Sequence, residues 1–277
     1  PLHYRGEAFC LRDKCLRSSY GLGVMRKLME LGVDMNKAVI KGRTPANILA
    51  SRDKSRDHSA AVFYEEATKI FSRESMEQAD NRGEAAVHLA AENGHTGMLK
   101  IMIEKGVDIN LTEDEPGEAG LTPLHLACAN GHVDVVKLLM NAGADDTMKN
   151  LKGETPAHFV LINKKYGWEL ETEQKAELLK ELKHLDIPRE DGQTPIMLLR
   201  YRDRELFSIF LDRGVDVNHA DNDGVTPLML CSDKAMAKEL LRAGADINMA
   251  DNEGDTALHY ALRDGDEENA RYLIKKG

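Results

Sequence analysis

The sequence has few aromatic residues, few cysteines and no long hydrophobic run. Aromatic residues make up 5% of the 277 residues, so a core has to be built mainly from aliphatic side chains and methionine. Four cysteines are too few for a disulfide-built scaffold. No apolar stretch approaches the roughly 18 residues of a membrane helix, and no signal-peptide pattern precedes the first repeat. These absences predict a cytoplasmic protein with reduced cysteines and no membrane contact.

The formal net charge of −10 is spread unevenly along the chain. Residues 1–60 carry 12 lysines and arginines against 6 acidic residues, whereas residues 61–277 carry 25 against 41. An acidic body repels phosphate backbones, so we expect no binding to nucleic acid. A hydrophobic content of 42% with 30% charged residues favours a folded chain over a disordered one.

One sequence motif recurs along the chain. It consists of a glycine, a variable residue, Thr-Pro, a short apolar stretch, and a second apolar run ending in Gly-Ala-Asp or Gly-Val-Asp. The clearest copy covers residues 120–145. A period near 33 residues predicts a repeat array rather than a globular enzyme. Full or partial copies begin at Gly42, Gly83, Gly120, Gly153, Gly192, Gly224 and Gly254.

Each copy predicts two short helices and a hairpin-like loop. Thr122 suits the N-cap and Pro123 the first helical position, where its missing amide costs nothing. The first helix is expected to end at Gly131 and the second at Gly143, because glycine accepts the left-handed conformation. Neither helix is long enough to be stable alone, so stability has to come from stacking of successive copies.

This pattern resembles the ankyrin-repeat family. The resemblance implies an all-α solenoid of about seven helix–turn–helix repeats with hairpin-like loops, following an N-terminal helical cap and partial repeat at residues 1–36. We expect residues 37–277 to form one continuous solenoid. Further family positions are the asparagines after Gly-Val/Ala-Asp-x, namely Asn36, Asn110, Asn218 and Asn248. The predicted repeats are 37–80, 81–110, 111–146, 147–189, 190–218, 219–248 and 249–277.

Some copies depart from the family pattern. The copy at Gly83 lacks Thr-Pro. Insertions at residues 51–58 and 163–174 are expected between the two helices of their repeats, and the second contains Trp168, the only tryptophan. The role of these insertions stays open.

Residues that invite a chemical role have simpler structural interpretations. Cys10 and Cys15 are four residues apart with His3 nearby, which matches no standard zinc spacing. Asp221 to Gly224 resembles part of a calcium loop, but Leu230 stands where the bidentate glutamate belongs, so a hairpin turn is favoured. The histidines at repeated positions are expected to tie hairpins to neighbouring repeats: His88, His95, His125, His132, His158 and His259.

No phosphate-binding loop, nucleophile elbow or metalloprotease motif occurs in the sequence. We therefore expect no catalysis, no cofactor and no metal site. The leading hypothesis is a monomeric, non-catalytic scaffold for protein–protein interaction. The alternative is a recognition arm of a larger multi-domain protein with an enzymatic or membrane domain, and a self-contained enzyme is the least favoured interpretation.

The resemblance implies that hairpin tips and first helices form a concave face where a protein partner docks. Leu121, Leu151, Val225 and Tyr201 are the candidate apolar anchors, because apolar groups on a rigid exposed face often anchor a partner. Basic tips precede acidic ones, which suggests a partner with the opposite charge gradient. The candidate partner-binding residues are Arg43, Arg82, Leu121, Leu151, Lys152, Tyr201, Asn222, Asp223, Val225, Asn252, Glu253 and Asp255.

Overall fold

A computed structural model of the chain describes residues 27, 30–32, 34, 36–37, 42–51, 61–113, 120–162, 170–199, 203–231 and 233–277, with the backbone alone at 61–64. The chain divides into an N-terminal unit, Pro1–Asp145, and a C-terminal unit, Asp146–Gly277. The described residues form helices and turns, and an isolated antiparallel bridge joins Ala250 and Thr256. The prediction of an all-α repeat fold is confirmed.

The N-terminal unit consists of short helices joined by tight turns. Helix α4 packs between α1 and α6, while the second helices α2, α5 and α7 pack beside one another. Each first helix therefore covers the apolar face of the next, as the repeat pattern predicts. The helices are α1 (Pro45–Ala50), α2 (Ala61–Thr68), α3 (Arg73–Glu77), α4 (Ala86–Glu92), α5 (Thr96–Glu104), α6 (Pro123–Ala129) and α7 (Val133–Asn141).

The C-terminal unit has the same arrangement of helices, but not every repeat in it has a full first helix. Helix α9 packs on α8 and α10, and α13 packs on α11 and α12. Between α9 and α10 a 3-10 helix, Pro195–Leu198, stands in place of a full first helix. The remaining elements are α8 (Pro156–Ile162), α9 (Thr172–Glu181), α10 (Arg204–Asp212), α11 (Lys234–Arg242), α12 (Ala257–Arg263) and α13 (Glu267–Lys276).

The first helices begin where the Thr-Pro pattern predicts. The Thr122 hydroxyl accepts the amide of His125, and Pro123 occupies the first helical position of α6. In the copy that lacks Thr-Pro, Ala85 has no hydroxyl to offer, but the Nδ1 atom of His88 still accepts the Ala85 amide, at 3.2 Å. A histidine three residues into the helix therefore supports the cap even without threonine.

Two first helices in the C-terminal unit are shorter than the repeat pattern predicts. After Thr194 the chain forms only the 3-10 helix, and residues 227–230 form a turn. Helix α7 begins ten residues after Pro123, whereas α11 begins seven residues after Pro227, which leaves too little chain for a second turn. Both shortened copies also lack the histidine that follows Thr-Pro.

The core is built from small, aliphatic and methionine side chains, as the composition predicts. Leu124, Leu139 and Met102 are fully buried in the N-terminal unit. Phenylalanine adds to this at a few positions, and Phe207 and Phe210 on α10 are buried in the C-terminal unit. The insertions at 51–58 and 163–174 lie largely outside the described residues, although α9 begins within the second.

Candidate functional site

Four hairpin tips share one turn, which is held by an aspartate or asparagine side chain. In the tip at Asp251, the Oδ1 atom accepts the amides of Glu253 and Asp255, both at 2.9 Å. The backbone closes the same turn, because the Asp251 amide donates to the Asp255 carbonyl at 2.9 Å. Asp80, Asn150 and Asp221 hold their tips in the same way. These side chains build the tips, so they are not available to a partner.

In the C-terminal unit, backbone hydrogen bonds join successive tips. The amide of Glu190 donates to the Lys152 carbonyl at 3.3 Å, and the amide of Asn222 donates to the Asp191 carbonyl at 3.0 Å. The amide of Asn252 continues the series by donating to the Asp223 carbonyl at 2.9 Å. This tip row is therefore fixed in register, and it presents one pair of outward side chains per hairpin.

Most predicted site residues are at least partly accessible. The accessible side chains lie mainly at the two positions before each tip glycine, whereas positions just after the glycine turn inward. Half-buried residues are Arg43, Val225 and Asp255. Exposed residues are Arg82, Leu151, Lys152, Asn222, Asp223, Asn252 and Glu253.

Leu121 is not an exposed anchor, and this prediction is wrong. Its side chain is completely buried, and its carbonyl accepts the amide of Glu113 at 2.9 Å. Leu121 follows the tip glycine Gly120, and the corresponding Glu84 and Glu154 are also buried. The position after the glycine therefore faces the stack in these hairpins.

Tyr201 lies outside the described residues, and so do Cys10, Cys15, His3 and Trp168. Among the predicted apolar anchors this leaves Leu151, which is 66% exposed, and the half-buried Val225.

The basic tips of the N-terminal unit are already paired within the unit. Arg43 donates to Asp80 at 2.8 Å and approaches Glu84 at 3.8 Å, while Arg82 lies 3.1 Å from Glu84. Burial tends to raise the pKa of Asp80, but hydrogen bonds from Arg43 and two amides outweigh it and lower that pKa. The arginines therefore compensate buried carboxylates as well as facing solvent.

The last hairpin of the C-terminal unit carries an aromatic and cationic group that the sequence reasoning did not assemble. The Tyr260 hydroxyl donates to Asp251 at 2.8 Å, and Arg263 lies over the Tyr260 ring at 4.2 Å. Arg263 also pairs with Asp255 at 3.3 Å. The signal was present in the sequence, since Tyr260 occupies the position of buried Leu126 in the third copy. The hydrogen bond from Tyr260 lowers the pKa of Asp251.

Three of the repeated histidines contact a neighbouring repeat as predicted, namely His88, His132 and His158. The Nδ1 atom of His158 accepts the Thr155 amide at 3.1 Å, and its Nε2 atom lies 3.2 Å from the Gln193 carbonyl in the next hairpin. His88 reaches the Leu111 carbonyl at 2.8 Å in the same manner. His132 instead contacts the carbonyl of Glu92 at 2.8 Å. An Nδ1 that accepts an amide fixes the neutral ring with its proton on Nε2.

Two of these histidines resist protonation. Burial lowers the pKa of His88 to about 4 and that of His158 to about 4, because a charged ring is poorly solvated there. Protonation would also replace the acceptor at Nδ1 by a donor facing an amide. Both rings therefore stay neutral near pH 7, which suits a structural tie.

Within the described residues, no group of three or more histidine, cysteine, aspartate or glutamate side chains is arranged to hold a metal ion. The helices of the same part of the chain are too short and too polar to span a membrane. Cys128 and Cys231 are buried thiols that form no disulfide. Burial raises the pKa of the Cys231 thiol.

A family model described as ankyrin repeats matches residues 16–113, 57–150, 111–170, 168–251 and 231–277. These matches cover most of the sequence, and the described residues have the helix pairs and hairpin tips of that family. The chain therefore belongs to the ankyrin-repeat family. Ankyrin repeats generally act as protein–protein interaction modules.

Solved structures support the same assignment. A structure of the Bdellovibrio bacteriovorus predatory endopeptidase Bd0816 in complex with immunity protein Bd3460 contains a chain 29% identical to this one, with a TM-score of 0.56. That match covers 70% of this chain and 100% of the other. The ankyrin repeat protein EF0377 is 23% identical with a TM-score of 0.56, over 68% of this chain and 96% of its own, and shares the fold. A search of curated protein sequences finds no match.

Proposed function

We propose that the chain is a non-catalytic protein-binding scaffold whose partner docks on the predicted concave face of hairpin tips and first helices. The observation that carries this proposal is the tip row of the C-terminal unit. Its framework groups are occupied by backbone hydrogen bonds, and its outward side chains are held in register without further ordering. Preorganisation of this kind lowers the entropic cost of binding.

Two further observations support a binding role. The buried histidines His88 and His158, like the turn-holding aspartates Asp80, Asp221 and Asp251, are engaged in structural hydrogen bonds, which supports a binding role over a catalytic one. The Bdellovibrio neighbour, which is 29% identical, was solved in a complex of two proteins. Both fit a surface that recognises another protein.

The proposal is tested by reversing charge on the tip row. The full chain with Asp223→Lys and Glu253→Lys is used as bait in native lysate, next to the unaltered chain. A matched control reverses two exposed carboxylates on the second helix α10, Glu205→Lys and Asp212→Lys. We expect at least one protein to be recovered by the unaltered chain and the control but lost with the tip variant. Identical recovery of every captured protein by all three baits would contradict the proposal.

A further inference from the structure

The two ends of the tip row in the C-terminal unit expose side chains of different chemistry. Leu151 is 66% exposed, and among the described residues the Lys152 ammonium makes no hydrogen bond or ion pair. Three carboxylates further along the row are likewise exposed and without a partner in that part of the chain. They belong to Glu190, Asp223 and Glu253.

Other charged side chains near these tips already make contacts within the unit. Arg189 lies 2.7 Å from Asp191, and Arg263 lies 3.3 Å from Asp255. The Asp221 side chain accepts the amides of Asp223 and Val225, at 3.0 and 2.9 Å. The Asp221 carboxylate keeps its charge and adds to the negative potential of the row. The exposed side chains that are not engaged within the described residues are the three carboxylates, with Lys152 and Leu151 at the opposite end.

We propose that this tip row binds an extended protein segment with an apolar side chain at the Leu151 end and lysine or arginine side chains towards the Glu253 end. The proposal rests on the protein-binding function proposed above and specifies the chemistry of the partner. Opposite charge steers such a segment and fixes its register, and the exposed leucine supplies an apolar contact that charge cannot.

The spacing favours an extended segment over a helix. Neighbouring repeats stack at about 10 Å, and an extended chain in the polyproline II conformation advances about 3.1 Å per residue with three residues per turn, so every third side chain faces a new tip. A bound helix needs a stripe of apolar anchors in a groove. Leu151 is the only strongly exposed large hydrophobic residue on the described tips of this unit. The row therefore has one apolar anchor where a helix would require several.

A displayed library of random 12-residue peptides, selected on the full chain, tests the proposal. We expect the selected peptides to be enriched in lysine and arginine at three-residue spacing, with an apolar residue at one end. The tip variant combines Glu190→Gln, Asp223→Asn and Glu253→Gln. Exposed ion pairs contribute modestly, so each lost carboxylate should weaken binding of a selected peptide about two- to fivefold. Binding should also weaken as salt rises from low to physiological concentration.

A matched control removes the same charge from exposed carboxylates on second helices, through Glu173→Gln, Glu205→Gln and Asp212→Asn. This control should bind the selected peptides within about twofold of the unaltered chain. Leu151→Ser should weaken them without changing the salt dependence. Circular dichroism and thermal unfolding verify that each variant is folded.

The outcomes separate this inference from the function on which it rests. Selected peptides that lack basic residues but lose binding in the tip variant would overturn the cationic segment and leave the tips as a protein-binding surface. Peptides that bind the tip variant unchanged would contradict both proposals. A selection that yields no peptide binding better to the unaltered chain than to the tip variant also overturns the inference.

Discussion

The hairpin tips of the two units use the same turn and differ in what happens to their charges. In the N-terminal unit, Arg43 and Arg82 are bound to the buried carboxylates of Asp80 and Glu84. In the C-terminal unit, the charged side chains of Lys152, Glu190, Asp223 and Glu253 face solvent and are unpaired within the described residues. Counting charged residues along the sequence therefore gives a wrong picture of the binding surface. The count suggests basic tips at the start and acidic tips at the end, but the basic tips are already paired. Only charges left over after internal pairing can contribute fully to recognition.

The buried histidines that both units share should make the stability of the protein depend on pH. His88 in the N-terminal unit and His158 in the C-terminal unit each have a pKa lowered to about 4, below the ordinary value of 6.5. Between these values the unfolded chain binds more protons than the folded one, so stability falls as the pH falls from about 6.5 to about 4. Each ring should remove up to about 3 kcal/mol over this window. Urea unfolding followed by circular dichroism at several pH values measures the loss.

The first copy of the repeat suggests a control variant for acid unfolding, because it has an asparagine at the histidine position. There Asn47 replaces the histidine, and its Oδ1 atom accepts the Thr44 amide at 3.2 Å while its Nδ2 atom donates to the Glu84 carbonyl at 2.8 Å. His88→Asn with His158→Asn should therefore keep much of the tie without a titrating group. An unchanged pH dependence of unfolding in this double variant would show that other groups cause it.

Removing one cation from each unit sharpens the comparison of tip charges. Arg43→Met leaves the nearly buried Asp80 carboxylate without its main partner, and we expect a loss of about 2 kcal/mol, below the usual cost for a fully buried pair because Arg43 is partly exposed. Lys152→Met leaves no buried charge, and the free energy of unfolding should change by less than about 0.5 kcal/mol. Urea unfolding of the two variants measures both. Equal losses of stability would mean that Arg43 and Lys152 do not differ in how strongly they are paired within the fold.

Glycine substitutions test the stacking of tips within the C-terminal unit. Gly224 and Gly254 both have positive φ, at 82° and 91°, so alanine strains each by about 1 kcal/mol. A Cβ atom at Gly224 would lie 2.9 Å from the backbone nitrogen of Asn252 in the next tip, whereas one at Gly254 meets nothing within 4 Å. Gly224→Ala should therefore cost about 1.5 kcal/mol more than Gly254→Ala in thermal or urea unfolding. Equal costs would indicate that the tips are not in close contact.

The helices were largely predictable because their signals are local. Thr122 and Pro123 begin a helix, and Gly143 follows the C-cap of another, whatever the rest of the chain does. The shortened first helix at Pro227 was also encoded, in the few residues between Pro227 and α11, but the regular repeat pattern suggested a full helix there. Local cap signals predict where a helix starts better than how far it continues.

The candidate surface was less predictable because it depends on distant partners. Leu121 looks like an exposed tip residue in the sequence, but stacking buries it. Arg43 looks like a free cation, but its partner Asp80 lies 37 residues away. A single sequence identifies the positions of a hairpin tip, and it does not show which of their charges the fold has already neutralised.

The histidine missing from the shortened copies offers the last test of the difference between units. In the N-terminal unit, Nδ1 of His125 lies 2.8 Å from the Thr122 hydroxyl and accepts the Thr122 amide at 3.1 Å. In the C-terminal unit, Met197 offers only its sulfur to the Thr194 amide, at 3.4 Å, and the buried Thr194 hydroxyl has no hydrogen-bond partner among the described residues.

Met197→His should supply an acceptor for both the hydroxyl and the amide of Thr194. One recovered buried hydrogen bond is worth about 1 kcal/mol, so the C-terminal unit should gain about that much stability at pH 7. The reverse change His125→Met in the N-terminal unit should lose a similar amount or more. Native-state hydrogen exchange reports the two units separately. A loss of stability with Met197→His would show that the shortened copy has no room for the imidazole ring. The first helices would then pack around Met197 differently from the way they pack around His125.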